Sequence, residues 1–203
     1  MSRFDLERLR KAVSGRMSQK RFNHTLGVEK CAKWLGTVLL PDLTEELSAA
    51  ALLHDIAKEI PKEEQLSLMK SLDFCFTEED FATPLAFHSF AGAALIKRDF
   101  PEYATENILS AVFYHTLGSP DMSLFDRIIF ISDFIEENRT YPTCRETREF
   151  LVNALKEAET YSEKITALNK AVYLSCKCVL QNLNRQNLPV NSRTVMTKIA
   201  FER

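Results

Sequence analysis

All four histidines of this chain lie in segments predicted to be apolar helix, and with two aspartates they form one ordered series of metal-ligand types. In chain order the series is His24, His54-Asp55, His88, His115 and Asp133. Imidazole nitrogen and carboxylate oxygen suit borderline divalent metals such as iron, manganese and zinc. One such histidine is usually a core residue, but a chain that places every histidine there has concentrated its ligands. Six donors exceed what one ion normally needs.

The adjacent pair His54-Asp55 suggests how the ligands are shared. Neighbouring helical residues point in different directions, but an ion above the helix surface can contact both, while other helices of a bundle supply the rest. A carboxylate can also bridge two ions. We therefore predict two metals with a shared aspartate: the first bound by His24, His54, Asp55 and Asp133, and the second by Asp55, His88 and His115. Asp133 lies in the apolar run IIFISDFI, which predicts burial.

Two adjacent divalent ions can activate a water for attack on phosphorus, so a phosphate ester or anhydride is the expected substrate. Phosphoryl transfer then requires positive groups that hold the phosphate oxygens. Arg21 and Lys58 are spaced at three and four residues from ligand histidines and should project from the same faces. With Asp55 they are the predicted catalytic residues. Further phosphate contacts are expected from Thr116, Gly118 and Arg139.

Helices are the elements that must position these residues. Five glycines leave little turn chemistry for sheets, and no strand-like alternation is sustained, so the fold is predicted to be all-α. One predicted helix runs from Thr44 to Pro61 and carries His54 and Lys58 on one stripe. Residues 62–80 have room for another helix. Other helix starts are predicted near Asp5, Ser18, Thr83-Pro84, Thr105, Ser123, Thr143 and Ser162.

Length and charge limit the remaining possibilities. We expect a single domain over residues 1–203: a metal-binding core at about 18–140, C-terminal helices at about 143–185 packed on it, and a polar tail to 203. With 26 basic and 28 acidic residues, the chain has no overall positive charge that would attract a nucleic-acid polymer or a membrane surface. Without a long apolar segment, and with five irregularly spaced cysteines, the chain is expected to be cytoplasmic.

The chain resembles the HD phosphohydrolase superfamily, and within it the YqeK-type symmetrical bis(5'-nucleosyl)-tetraphosphatases of bacteria. The resemblance runs from about Arg21 to Arg139 and rests on the segments RFNHTLGV, ALLHDIAK, FHSFAGA and VFYHTLGSPDMSLFDRIIFISDFIE. It implies a helical HD domain with two metals, usually iron, with manganese or magnesium as alternatives. The implied reaction splits diadenosine tetraphosphate at its centre into two ADP. The chain departs from the family pattern at residues 136–139, where it has Glu-Glu-Asn-Arg.

Two other function classes stay open on the sequence alone. The same ligands would serve an HD enzyme acting on cyclic dinucleotides or nucleoside phosphates, and a nucleotide-sensing module would use binding to control a partner. For the symmetrical enzyme we expect ADP or GDP as bound product and the second half of the substrate to pass the loop after His115. Phe87 or Tyr114 could stack on a base. A homodimer is compatible with these expectations.

Overall fold

The computed structural model describes residues 4–202, and within them every regular element is helical. Short 3₁₀ turns connect some of the α-helices. The α-helices are α1 (Leu6–Ser14), α2 (Gln19–Leu39), α3 (Thr44–Leu53), α4 (Lys62–Lys70), α5 (Glu78–Phe81), α6 (Phe87–Asp99), α7 (Glu106–Tyr114), α8 (Leu124–Ile135), α9 (Pro142–Glu157), α10 (Tyr161–Arg185) and α11 (Ser192–Ala200). The predicted all-α class is confirmed. None of the helices in residues 4–202 is long and apolar enough to cross a membrane.

The centre of the bundle is formed by α2, α3 and α8. Helix α3 packs against α2, α7 and α8, and α8 also contacts α9 and α10. One large apolar cluster joins these elements, with members such as Leu35, Leu52, Ile128 and Leu168 at 0% exposure. Because Leu168 belongs to α10, the C-terminal helices share their core with the helices that carry the predicted ligands.

Predicted caps begin three of the helices that carry or precede the predicted ligands. The side chains of Ser18, Thr105 and Ser123 each accept a hydrogen bond from a backbone N–H three residues ahead, in the first turns of α2, α7 and α8. Such caps satisfy N–H groups that have no partner within the helix. These starts set the register that places His24 within α2, His115 at the end of α7 and Asp133 within α8.

The helix predicted to run from Thr44 to Pro61 is shorter in the structure. Helix α3 ends at Leu53, and residues 54–59 continue as turns. Backbone bonds from Ile56 to Leu53 and from Lys58 to Asp55 span three residues instead of four. In this tighter backbone turn, adjacent side chains point in directions different from those in a continuous α-helix. It allows both members of the His54-Asp55 pair to be buried, at 0% and 4% exposure.

The segment between α3 and α6 also differs in detail from the prediction. Residues 62–80 contribute two helices, α4 and the start of α5, where room for one was expected. Pro84 opens a 3₁₀ turn of three residues instead of α6 itself, which begins at Phe87. His88 therefore lies in the first turn of α6.

The predicted polar tail contains a helix that the sequence analysis missed. Helix α11 packs against α10, and its buried residues are the polar Thr194 and Thr197. Arg193 holds it to α5 through two bonds to Asp80, at 2.8 and 2.9 Å. Since the buried face of α11 is polar, the sequence has no apolar stripe there that would predict a packed helix.

Candidate metal centre

The six predicted ligands converge in the bundle as two groups of three. Donor atoms within each group lie within 4.8 Å of one another. The first group draws on α2, the end of α3 and α8, and the second on the turn after α3, α6 and the end of α7. We name them cluster A, with His24, His54 and Asp133, and cluster B, with Asp55, His88 and His115.

Asp55 stands between the clusters and presents one carboxylate oxygen to each. Its Oδ2 is 3.8 Å from Nε2 of His24 and 3.5 Å from Nε2 of His54. Its Oδ1 is 3.4 Å from Nε2 of His88 and 3.7 Å from Nε2 of His115. One carboxylate in this position could contact an ion in each cluster, which is the arrangement predicted from the sequence.

Three of the imidazoles are oriented by hydrogen bonds through Nδ1. His54 donates to the carbonyl of Ala51 at 2.6 Å, and His115 donates to the carbonyl of Val112 at 2.7 Å. Both histidines follow the last residue of a helix, where such carbonyls lack a partner further along the helix. Nδ1 of His24 lies 3.1 Å from a carboxylate oxygen of Glu136. These bonds direct the Nε2 atoms into the clusters, the usual way in which outer partners orient metal-binding histidines.

The donor set fits a divalent metal on two observations. Nε2 of His24 and Nε2 of His54 are buried without a hydrogen-bond partner in residues 4–202. The Oδ1 atom of Asp133 is only 3.0 Å from Nε2 of His24, yet the pair does not align as a hydrogen bond. Unpaired buried nitrogens are unusual in folded proteins. A cation that accepts both lone pairs would satisfy them, and imidazole with carboxylate is a suitable ligand set.

The electrostatics of the clusters also favour a cation. Burial alone would raise the pKa values of Asp55 and Asp133. Nearby imidazoles instead hold the pKa of Asp55 well below its ordinary value, and Arg139 together with imidazoles does the same for Asp133. Burial lowers the pKa of His24, yet the adjacent carboxylates of Asp133 and Glu136 raise it to about 9. Burial, with the cationic Lys58 nearby, holds the pKa of His88 well below its ordinary value. The neutral form of His88 is the one that binds a metal.

Most of the residues expected to contact phosphate also reach the clusters. Nη1 of Arg21 lies 2.7 Å from Oδ2 of Asp55, and Nη2 of Arg139 lies 2.7 Å from Oδ1 of Asp133. Around Nε2 of His88 are Nζ of Lys58 and Oγ1 of Thr116, both at 3.0 Å. Burial lowers the pKa of Lys58. All of these side chains line one cleft.

The structure does not support Gly118 as a phosphate donor. Its N–H already donates to the carbonyl of Tyr114 at 2.8 Å, and its φ of +75° closes the end of α7. A Cβ at this glycine would collide with the side chain of Thr197, so it faces α11. Neither residue expected to stack on a base lines the cleft: Phe87 is 5% exposed in an apolar cluster, and Tyr114 lies outside the lining.

The cleft over the clusters has a volume of about 740 Å³. It extends from the clusters and Thr116 to the start of α9 and along α10. This second wall was not anticipated from the sequence, because its polar residues resemble any solvated helix face. The lining residues missed by the sequence analysis include Phe130, Phe134, Tyr141, Cys178, Gln181, Asn182 and Arg185.

Comparison with known sequences gives consistent matches over this site. A sequence model of the HD domain matches residues 21–138. The "Bis(5'-nucleosyl)-tetraphosphatase, symmetrical" of Bacillus subtilis (strain 168) is 33% identical over 91% of this chain and 91% of its own length. Relatives of the same name occur in Halalkalibacterium halodurans, 28% identical over 91% of this chain and 90% of its own length, and in Staphylococcus aureus, 24% identical over 94% and 91%.

A solved structure shows the same fold over almost the whole chain. It is described as a predicted HD superfamily hydrolase involved in NAD metabolism, from Clostridium acetobutylicum. It superposes with a TM-score of 0.82 at 26% sequence identity, covering 98% of this chain and 97% of the other.

Proposed function

This chain belongs to the HD domain family and to its symmetrical bis(5'-nucleosyl)-tetraphosphatases, and we propose that it is a metal-dependent hydrolase that splits diadenosine tetraphosphate into two ADP. The observation that carries the proposal is the position of Asp55. Its two oxygens face two separate clusters of imidazole and carboxylate donors at the floor of a cleft lined by cationic side chains. We further infer two divalent ions, of which iron is the expected metal and manganese or magnesium the alternatives.

The proposed ligands are those predicted from the sequence, and the proposed chemistry depends on the metals they would hold. Cluster A with Asp55 would bind one ion and cluster B the other. When bound, such ions polarise phosphate oxygens and make water a stronger nucleophile at neutral pH.

The cationic residues of the cleft would hold the phosphate chain. Arg21 and Arg139 approach the clusters from α2 and from the loop after α8, while Lys58 and Thr116 lie beside cluster B. Guanidinium groups can bind phosphate oxygens with two hydrogen bonds. Positively charged donors fixed in advance stabilise the additional negative charge of a phosphoryl-transfer transition state.

The proposed cut is central because few phosphate-binding groups surround the clusters. Attack near one end of a four-phosphate bridge would require a grip on a long three-phosphate arm. Arg21, Lys58, Thr116 and Arg139 are the candidate phosphate donors beside the clusters, and they suit a short phosphate arm better than a three-phosphate one. That the other half passes the loop after His115 stays a prediction; Thr116 of this loop lines the cleft, which also extends to the start of α9 and along α10.

Chromatography of the first products tests the proposal. The purified protein, prepared anaerobically and assayed for metal content, is incubated with diadenosine tetraphosphate. ADP is expected as the sole nucleotide product, and the Asp55→Asn protein provides the inactive control. ATP with AMP would refute a symmetrical cut. No cleavage by protein that contains two metals per chain would instead favour a cyclic dinucleotide substrate or a sensing role.

The metal identity, a homodimer and a cytoplasmic location stay predictions. Elemental analysis of the anaerobic protein identifies the metal, light scattering determines the assembly, and cell fractionation determines the location.

A further inference from the structure

A second cavity lies between α2 and α9, and no residue between 4 and 202 lines both it and the cleft. Both helices pack on α8, whose end contributes Ile135 to the cavity wall. The volume is about 450 Å³, within the range of roughly 300–1,000 Å³ found for ligand pockets. This cavity is therefore large enough for a small molecule and separate from the proposed catalytic site.

The cavity is longer than it is wide. Its lining residues on α2 recur every three or four positions from Gly27 to Val38, so they share one face of the helix. Those on α9 recur in the same way from Arg148 to Lys156. At about 1.5 Å per residue, these stretches are roughly 16 and 12 Å long. A volume of about 450 Å³ over that length leaves a narrow channel.

The two ends of the channel are identified by contacts between its helices. Glu136 marks the first end, because a Cβ on Gly27 would collide with its carboxylate and Arg148 binds its carbonyl. At the second end, the hydroxyl of Tyr161 donates to the carbonyl of Leu39 at 2.8 Å. That bond joins the start of α10 to the end of α2. Helices α2 and α9 therefore run side by side in the same direction, and the channel follows them.

The wall of the channel is mostly apolar. Its apolar members are Cys31, Trp34, Val38, Ile135, Val152 and Leu155. Four of these six side chains are half-buried, which leaves apolar surface uncovered. Removing such surface from water is favourable, and open apolar grooves commonly mark binding sites. The interior therefore suits a hydrocarbon chain.

The charged groups of the channel favour an anion. The carboxylate of Glu137 pairs with Lys30 at 2.6 Å, and that of Glu136 is held by an imidazole of cluster A. Lys156 has no ion pair within residues 4–202, and Arg148 binds only backbone carbonyls there. The channel thus contains two cations without a carboxylate partner, whereas each of its carboxylates already has a cationic partner.

From these features we propose that the channel binds a free acyl carboxylate, with its chain between α2 and α9 and its carboxylate beside Lys156. Arg148 already donates to three carbonyls, whereas the side chain of Lys156 is exposed and available. This site goes beyond the proposed function and does not depend on it. Its ligand would lie against Glu136, which orients His24, without entering the cleft.

Probes of equal chain length and different head group test the required charge. Decanoate, decanol and decylamine are titrated into the protein below their micelle concentrations. Calorimetry measures affinity, and the emission of Trp34, the only tryptophan in the sequence, reports occupancy of the channel. Decanoate should change this emission and bind severalfold more tightly than decanol, with protonated decylamine the weakest. Octanoate should bind about tenfold more weakly than decanoate, because it buries two fewer methylenes.

Two variants assign the binding to the channel. Lys156→Gln should reduce the affinity for decanoate to that for decanol and leave decanol binding unchanged. Val152→Phe should fill part of the channel and weaken both probes at least tenfold. The matched controls are Lys177→Gln, at an exposed position of α10, and Ile199→Phe, at a position of α11 that is 59% exposed. Both controls should bind as the wild type does.

Three results would overturn the proposal: no binding of decanoate to the wild type, equal affinity for decanoate and decylamine, or decanoate binding that is unchanged in both channel variants. In the last case the probe would bind elsewhere on the surface. Helical circular dichroism shows whether each variant is folded, and the exposed Lys156→Gln keeps the test decisive if Val152→Phe does not fold. Cleavage of diadenosine tetraphosphate is measured in none of these experiments, so failure of the proposed function is distinguishable from failure of this site.

Discussion

The carboxylate of Glu136 lies 3.1 Å from Nδ1 of His24 and also accepts the backbone N–H of Asn138 at 2.7 Å. Glu136 is 2% exposed and directs the opposite nitrogen of the imidazole into cluster A. Arg148 of α9 binds the carbonyls of Glu136 and of Arg139. The loop in which the chain departs from the family pattern is therefore fixed to both His24 and α9.

We expect Glu136→Gln to weaken metal binding at cluster A by about 10- to 100-fold, the usual effect of removing an outer carboxylate partner of a ligand histidine. The amide has no negative charge to support the imidazole. Metal retained after dialysis against a graded chelator measures the change. Glu137→Gln is the matched control, since Glu137 is exposed and pairs with Lys30 at the surface. Equal metal retention in the Glu136 variant and the wild type would show that Glu136 does not support metal binding at cluster A.

Substitution Asp55→Asn should release both ions and abolish turnover, because one carboxylate faces both clusters. His88→Ala and His115→Ala should mainly empty cluster B and leave cluster A partly occupied. Metal content per chain by elemental analysis, alongside activity, distinguishes these outcomes. A fully active Asp55→Asn protein is incompatible with the shared position. Equal loss of both ions in the two histidine variants would mean that the ligands are divided differently.

The variants Arg21→Ala and Lys58→Ala should retain the wild-type metal content and helical circular dichroism while losing about 10² or more in kcat/KM. That is the scale expected when one preorganised charged contact to a transition state is removed. Both side chains line the cleft beside the clusters. Lys33→Ala, at an exposed position of α2, is the control for loss of a charge. Near-normal activity would indicate that Arg21 and Lys58 only stabilise the site.

The substitution Asp80→Asn should loosen α11, because it removes the charge that holds Arg193. Loss of charged hydrogen bonds of this kind costs on the order of 2 kcal/mol in the free energy of unfolding. Urea unfolding measures the difference, with exposed Asp73→Asn as the control.

The pH dependence of the Asp80 contribution has a definite sign. Burial would raise the pKa of Asp80, but the bonds from Arg193 and Thr77 lower it below the ordinary value of 3.8. A carboxyl group whose pKa is lowered by folding stabilises the folded protein at pH values above its unfolded-state pKa. This stabilisation is lost as the pH falls through the folded-state pKa. The difference between wild type and Asp80→Asn should therefore be constant from pH 5 to 8 and shrink below about pH 4. A difference that increases on acidification would contradict this assignment.

The sequence alone was enough to predict the helical class, several helix starts and the side chains that the two clusters bring together. Caps such as Ser18 and Ser123 are local signals, and they were correct because a cap depends only on neighbouring backbone groups. His24 and Asp133 could be predicted for a similar reason: a polar ligand type within an apolar stripe is visible without knowing the fold.

Other features depended on contacts between elements distant in the sequence. The end of α3 at Leu53 gave the His54-Asp55 pair its tight turn, and local periodicity predicted a longer helix. Helix α11 is held by Asp80 and by polar packing, so its own sequence carries little sign of burial. Gly118 was predicted to donate to phosphate because it follows His115 near a helix end, but in the structure it packs against α11.

The sequence by itself determined the types of metal-ligand side chain that this protein offers, because the histidines and aspartates and their apolar neighbours can be identified without knowing the fold. Only the tertiary structure decided how far Asp55 lies from each cluster and where the cleft leads. Those properties depend on distances between α2, α6, α7, α8 and α10, which are set by packing of the common core. Tyr141 and Arg185 have no local feature that separates them from other exposed residues, and they line the cleft only because α9 and α10 close one side of it.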